Sequence, residues 1–247
     1  MYRNGEGVAQ DYAESIVWTR KAAEKGLAEA EYILGVMYRM GEGVMQNYAE
    51  SIVWTRRAAE QGHSKAQSNL GLMYFNGVGT AQDYKEAITW FRKAAEQGID
   101  EAQFMIGVMY AQGQGTAQND KEAFAWTRKA AEQGHSQAQA NLGVMYARGQ
   151  GVAQNDKQIV AWTRKAAEQG NVKAQALLGA LYGKGQGVTQ DNIQSYMWLS
   201  LAAAQGLELA IRAKDALDGA LTPTQIEEGR HLTQEWLEAH RKALVTH

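Results

Sequence analysis

A chain of 247 residues of which 45% are hydrophobic has enough apolar material for one or two packed domains, which excludes a disordered chain. A formal net charge of −2 at pH 7 supplies no electrostatic footprint for nucleic acid or an anionic membrane. The lack of cysteine excludes disulfide frameworks and thiolate metal sites, without identifying a compartment.

The first residues, Met1-Tyr2-Arg3-Asn4-Gly5-Glu6-Gly7, carry no apolar stretch of a signal peptide. No run elsewhere approaches the roughly 18–20 apolar residues that span a bilayer, so a soluble chain without membrane insertion is expected. Twenty-six glycines against one proline is an odd balance for a helical protein and directs attention to internal periodicity.

Tryptophan recurs at Trp18, Trp54, Trp90, Trp126, Trp162 and Trp198, every step 36 residues. Gly26, Gly62, Gly98, Gly134, Gly170 and Gly206 keep the same step, as do Tyr38, Tyr74, Tyr110, Tyr146 and Tyr182, with Tyr2 in register ahead of them. Three interlocked series without an insertion establish a 36-residue repeat.

Each period reads as two helices. The longer is predicted from about Tyr12 to Lys25, opened by Asp11 and closed by Gly26. Asn47, Asp83, Asn119, Asn155 and Asp191 stand at the equivalent of Asp11, and Glu or Gln follows three residues on, as in a capping box. The shorter is predicted from about Ala28 to Met40, with Ser64, Asp100 and Ser136 as caps in three copies. Its Leu34-Gly35 and Tyr38 return as Leu70-Gly71 with Tyr74 and Leu142-Gly143 with Tyr146. A glycine inside a helix costs about 1 kcal/mol relative to alanine, so its recurrence implies a close approach by the partner helix, which carries Ala22-Ala23 and their counterparts. The pairs Gly41/Gly43, Gly77/Gly79, Gly113/Gly115, Gly149/Gly151 and Gly185/Gly187 read as tight connections between antiparallel helices, with Val44 or Thr80 inward. They lack the strand and the Gly-Lys-Ser/Thr context of a phosphate loop.

The unit A-x-x-x-L-G-x-x-Y-x-x-G-x-G-V-x-x-D-x-x-x-A-x-x-W-x-x-K-A-A-E-x-G, shown by Ala30 through Gly62 with Asn47 in the Asp place and Arg57 in the Lys place, resembles the Sel1-like repeat, a relative of the tetratricopeptide repeat. The resemblance implies an all-α fold, a right-handed superhelical α-solenoid of antiparallel helix pairs. It also implies a role as adaptor or scaffold in protein complexes. Bacterial members are often exported or act in envelope processes and host interaction. The compartment therefore stays open between bacterial periplasm, secretion and cytoplasm.

The predicted organisation is a solenoid over 1–206, with a partial first unit 1–26 and full units 27–62, 63–98, 99–134, 135–170 and 171–206. Residues 207–247 follow as a degenerate helix at 207–219 and a capping helix. Thr222-Pro223-Thr224-Gln225 supplies a helix start, and Ile226, Leu232, Trp236 and Leu237 are spaced to cover the last repeat. The missing first member of the opening helix pair is expected to reflect an upstream segment cut away.

Catalytic groups are sparse. His63 and His135 sit two repeats apart, about 20 Å at helix packing distances, and so cannot share a metal or a proton. His231, His240 and His247 are expected to be solvated, and Glu24, Glu60, Glu96, Glu132 and Glu168 to pair with the arginines four residues before them. No Gly-x-Ser-x-Gly and no cysteine nucleophile is present. The chain is expected to be no enzyme, with no cofactor and no metal.

Variation between copies points to binding. By analogy with tetratricopeptide proteins, the short helix lines the concave face, with positions 29, 32, 33, 36, 39 and 40 outward. The candidate partner-binding residues are Tyr32, Arg39, Asn69, Phe75, Phe104, Met105, Asn141 and Arg148. Bulky groups of a protein or peptide would meet Tyr32, Phe75 and Phe104, while Asn69 and Asn141 would hold its backbone. The expected function is a non-catalytic adaptor acting as a monomer. Alternatives are a secreted host-interaction effector or a cell-envelope, peptidoglycan-associated factor.

Overall fold

The structure, a computed structural model, is described for residues 10–244, with side chains through residue 240. The expectations that fall on Tyr2 and His247 lie outside the described residues. Thirteen helices and no strand are found among the described residues. They are α1 (Tyr12–Ala23), α2 (Ala28–Met40), α3 (Tyr48–Glu60), α4 (Ser64–Asn76), α5 (Tyr84–Glu96), α6 (Asp100–Gln112) and α7 (Asp120–Glu132). There follow α8 (Ser136–Arg148), α9 (Asp156–Glu168), α10 (Val172–Lys184), α11 (Asn192–Ala204), α12 (Glu208–Asp218) and α13 (Pro223–Leu244). The fold is all-α with a 36-residue repeat. The two helices of a period are alike in length, 13 residues each in α3 and α4, rather than one long and one short.

The chain divides between Lys129 and Ala130 into two compact units. In the first, Leu34, Met37 and Tyr38 of α2 pack with Ile16 and Ala23 of α1. Leu70, Met73 and Tyr74 of α4 join Trp90 and Phe91 of α5 and Ile106 and Met109 of α6. In the second, Leu178 and Leu181 of α10 pack with Ile159 and Val160 of α9 and Trp198 of α11. Leu232 and Trp236 of α13 lie against this core, whereas Leu237, predicted to help cover it, is 43% exposed.

The odd helices start as predicted, but the capping box is only half formed. Asp11 Oδ1 accepts from the N–H groups of Ala13 and Glu14, and Asn47 does the same for Ala49 and Glu50. The return bond from Glu50 has no donor to take, because the Asn47 N–H is already given to the Tyr38 carbonyl at 2.9 Å. A reciprocal box does form at α13, where Thr222 N–H donates to Gln225 Oε1 and Gln225 N–H to Thr222 Oγ1.

The even helices are capped one residue earlier than predicted. His63 Nδ1 accepts from Ala66 N–H at 3.1 Å, and His135 Nδ1 from Ala138 N–H at 3.1 Å. Asn171 Oδ1 serves Ala174 N–H in the same way. Ser64 and Ser136 are therefore first helical residues, and so is Asp100, whose helix is preceded by Ile99 with no side-chain cap bond. His63 and His135 thus serve as structural caps.

The recurrent helical glycine answers to a close approach, but on the helix that follows and ahead of its alanine pair. A Cβ on Gly35 would lie 2.5 Å from Thr55 Oγ1 and 3.1 Å from the Ser51 carbonyl, and one on Gly71 2.7 Å from the Phe91 ring. Ser51 Oγ closes the junction by donating to the Gly35 carbonyl at 2.7 Å. In the connection, Gly41 and Gly43 both have positive φ, 75° and 70°, which glycine adopts without steric penalty. A Cβ on Gly43 would collide with the Tyr12 carbonyl at 2.0 Å. Val44 packs on the α1–α2 core, as predicted.

At the end of α12, Lys214 Nζ donates to Asp218 Oδ2 at 2.5 Å, and this bond holds the Asp218 carboxyl below the ordinary carboxylate range. α13 meets α11 at Gly229, where a Cβ would stand 2.6 Å from the Tyr196 ring.

Two stability outcomes follow from the caps and the ion pair. Loss of the cap in His63→Ala should reduce unfolding free energy by about 1 kcal/mol, and His63→Asn, which reproduces the arrangement at Asn171, should cost less. Urea titration of both variants checks the order. For Asp218 the folded-state pKa is depressed, so its contribution is complete above the ordinary carboxylate pKa and fades as pH falls through the folded value. The stability gap between wild type and Asp218→Asn should therefore narrow below about pH 4, as measured by thermal unfolding across a pH series.

Candidate interaction surface

A surface available for a partner is what remains after the frame has used its own polar groups. Four of the five arginines predicted to pair with glutamates four residues on donate elsewhere. Arg20 Nη2 donates to Tyr38 Oη at 2.6 Å, Arg92 to Tyr110 at 2.6 Å and Arg164 to Tyr182 at 2.6 Å, with Arg56 likewise donating to Tyr74. Each ties an odd helix to the even helix that follows. The tryptophans are partly covered by cations from the next turn, as with Lys93 Nζ at 4.0 Å from the Trp90 ring. Their burial differs widely, from Trp198 at 5% exposure to Trp18 at 56%.

A buried amide series is the feature that sequence reasoning missed. Gln67, Gln103, Gln139 and Gln175 sit one period apart and are buried. Gln67 Nε2 donates to the Ala59 carbonyl at 3.1 Å, and its Oε1 accepts from Gln97 at 2.7 Å. In the second unit Gln139 donates to Ala131 and accepts from Gln169, and Gln175 donates to Ala167 and accepts from Gln205. Glu31 occupies the first place of the series, 4% exposed, and accepts from Gln61 Nε2 at 2.6 Å. The signal was present as an amide recurring on an otherwise apolar helix face.

With these groups engaged, the outward side chains of α2, α4 and α6 form the variable surface of the first unit. Tyr32 is half-buried, stacks on His63 with ring centroids 4.7 Å apart, and accepts from Asn69 Nδ2 at 3.3 Å. Phe75 is half-buried and meets the Tyr84 ring edge-on at 5.3 Å. Phe104 is half-buried against the same core. Arg39 is exposed at the end of α2, with its carbonyl held by Gln46 Nε2 at 2.8 Å. Met105 is only 9% exposed and belongs to the core, because its place on α6 faces the helices beside it rather than solvent. In the second unit Asn141 is half-buried and accepts from Gln137, while Arg148 is exposed at the end of α8.

The first unit also holds a pocket of about 320 Å³ between α2, α3 and α4. Gly35, Ser51, Thr55 and Met73 line it from the buried side, and Val36, Met40 and Leu72 supply further apolar wall. Arg39, Asn69 and Asn76 lie on its more exposed side. The predicted residues Arg39 and Asn69 thus share one pocket, whereas Phe75 and Phe104 do not line it.

No group of three or more His, Asp or Glu side chains able to hold a metal occurs among the described residues. No described helix is long and apolar enough to cross a membrane.

The profile described as Sel1 repeat matches residues 1–27, 28–63, 64–99, 100–135, 136–171 and 172–207. The chain is similar to the crystal structure of a Sel1 repeat protein from Oxalobacter formigenes, with 34% identity over 88% of the chain and a TM-score of 0.80. It spans 63% of that protein's length. In fold it is also similar to a Sel1 repeat protein from Klebsiella pneumoniae subsp. pneumoniae, at 21% identity and TM-score 0.51, covering 81% of this chain and 98% of that one. The immunity protein Pa5087 of Pseudomonas aeruginosa shares the fold at 21% identity and TM-score 0.51, covering 82% and 80%. No curated protein matches.

The amide series carries its own test. In Glu31→Gln the new amide can keep the bond from Gln61 and add a donor for the Ala23 carbonyl, as Gln67 does for Ala59. Unfolding free energy should not fall, whereas Gln67→Leu should lose about 1–3 kcal/mol by removing the acceptor of Gln97 Nε2 and one of the donors to the Ala59 carbonyl. Denaturant titration distinguishes the two.

Proposed function

Because the chain belongs to the Sel1 repeat family, a class of repeat that commonly mediates protein–protein interaction, we infer that it is a non-catalytic adaptor holding a protein or peptide partner against the outward face of α2, α4 and α6. One observation carries the reading. On a frame whose buried groups repeat at every period, the outward residues of the even helices change from copy to copy, and in the first unit they bring half-exposed aromatics together with a pocket. Aromatic and Arg side chains around a water-accessible hollow are the composition from which interface anchors are drawn.

Tyr32 is the best-held of these groups. Its stacking on His63 and its bond with Asn69 fix the ring before any partner arrives, which lowers the entropy lost on binding. Phe75 offers a second fixed ring, propped by Tyr84. Asn141 and Arg148 of α8 are the corresponding candidates in the second unit.

The non-catalytic part of the reading is supported by how the histidines are used. His63 and His135 each spend a ring nitrogen on a helix N-terminus.

Affinity capture with the wild-type chain and with Phe75→Ala/Phe104→Ala tests the placement. Both rings touch the core, so folding of the double variant is verified by its melting curve first. A partner recovered with wild type and reduced at least tenfold with the folded double variant supports this face. Equal recovery would remove it and turn attention to the odd helices and the connections.

A further inference from the structure

At one place on the proposed face the buried residue opposite the helical glycine differs from its counterpart in the next repeat. At the junction of α4 and α5 the notch left by Gly71 is filled by the Phe91 ring, which is fully buried. At the junction of α2 and α3 the notch left by Gly35 meets Thr55, the residue one period before Phe91, with a far smaller side chain. The 320 Å³ pocket opens at that spot, lined by both Gly35 and Thr55.

We propose that this pocket is an anchor site for one apolar side chain carried within an acidic stretch of a partner polypeptide. The inference rests on the reading that the even-helix face binds polypeptide, and it adds the chemistry of the partner.

Size and lining set the apolar half of the match. The volume lies at the small end of ligand clefts, roughly 300–1,000 Å³, which suits one Leu, Met or Phe side chain with its backbone. Val36, Leu72 and two methionines, Met40 and Met73, make the walls. Methionine is flexible and polarizable, so the walls can adjust to an inserted aliphatic or aromatic group.

Charge sets the other half. Arg39 is the one ionic side chain that lines the pocket, and no carboxylate does. Three of the carbonyls at the end of α2 are already satisfied, Met37 by Gly41 and Glu42, Tyr38 by Asn47 and Arg39 by Gln46. The Arg39 guanidinium is exposed at the pocket, within reach of a carboxylate flanking the inserted side chain. Asn76 and Asn69 bring amide groups to the same opening, suited to the donors and acceptors of a peptide backbone. Asn69 is held in place by Tyr32, which joins the pocket to the aromatic part of the face.

The test uses a displayed library of random linear peptides selected on the full wild-type chain. Selected peptides are synthesised and titrated by fluorescence polarisation against wild type, Thr55→Phe and Arg39→Glu. Thr55→Phe installs the side chain that the next repeat carries over its own glycine, and Thr55→Leu, the residue at Leu199, serves if the larger ring disturbs folding. Selected peptides should carry one Leu, Met or Phe flanked by Asp or Glu, and should lose about tenfold or more in affinity, about 1.4 kcal/mol, with either substitution.

Peptides without an acidic bias, or ones that bind the filled-pocket variants as tightly as wild type, overturn the proposal. If such peptides still lose affinity with Phe75→Ala, the face stands and only the anchor falls. If they ignore all three positions, or if selection enriches nothing, both the anchor and the reading it rests on fall.

Discussion

The closeness with which each even helix approaches the odd helix after it governs the rest of this fold. At Gly35, Gly71 and Gly107 in the first unit, and at Gly143 and Gly179 in the second, a Cβ would stand 2.5 to 2.7 Å from a side-chain atom of the next helix. A contact that tight fixes the register of the two helices as well as their distance. Once it is set, Ser51 meets the Gly35 carbonyl and Gly43 passes over the carbonyl of Tyr12, a path that admits no side chain. The cost of glycine in each helix interior is offset by the packing and hydrogen bonds that this single approach brings into range.

The same register determines which polar groups are left for a partner. The arginines of α1, α3, α5 and α9 each reach a tyrosine hydroxyl 18 residues on, and the buried glutamines of α4, α8 and α10 each bridge the carbonyl of one turn and the amide of another. Groups that recur at every period are consumed by the frame. Specificity has to come from residues that differ between copies, and a difference matters only where the side chain, or the space it leaves, reaches the surface.

How much of this was legible in the sequence depends on whether a residue's role is local. The repeat, the helix boundaries to within about two residues and the Asp or Asn caps follow from spacing and short-range chemistry, and they were readable. The histidine caps were not, since Ser64 and Ser136 offered a more familiar cap one position later; Asn171 at the equivalent of His63 was the clue. The Arg–Tyr bonds were hidden behind a nearer acidic residue at helical spacing, because sequence favours the partner four residues away over one that depends on how two helices cross. Of the candidate surface, Tyr32, Phe75 and Phe104 lie half-exposed on the even helices, and Arg39 and Asn69 share a pocket. Met105 lies in the core, because alternation between copies can reflect packing as well as exposure.

The pocket itself was invisible to a search confined to outward positions. Thr55, 3% exposed, lines its buried side, and the later copies carry Phe91, Thr127, Thr163 and Leu199 at that place. The sequence contained the signal as a change from small to large at a place facing a glycine that never changes. Volume removed beneath a surface must be filled by movement of the frame or left open. The frame here is pinned on either side, by the Ser51–Gly35 bond and by the approach of Thr55 to Gly35 at the helix junction, so it cannot collapse to fill the space. A buried residue in one helix thereby contributes to the surface that two others present. Threonine stands at this place in three of the five copies, so the outward residues around it, Arg39 and Met40 where the next copy carries Phe75 and Asn76, also set this position apart.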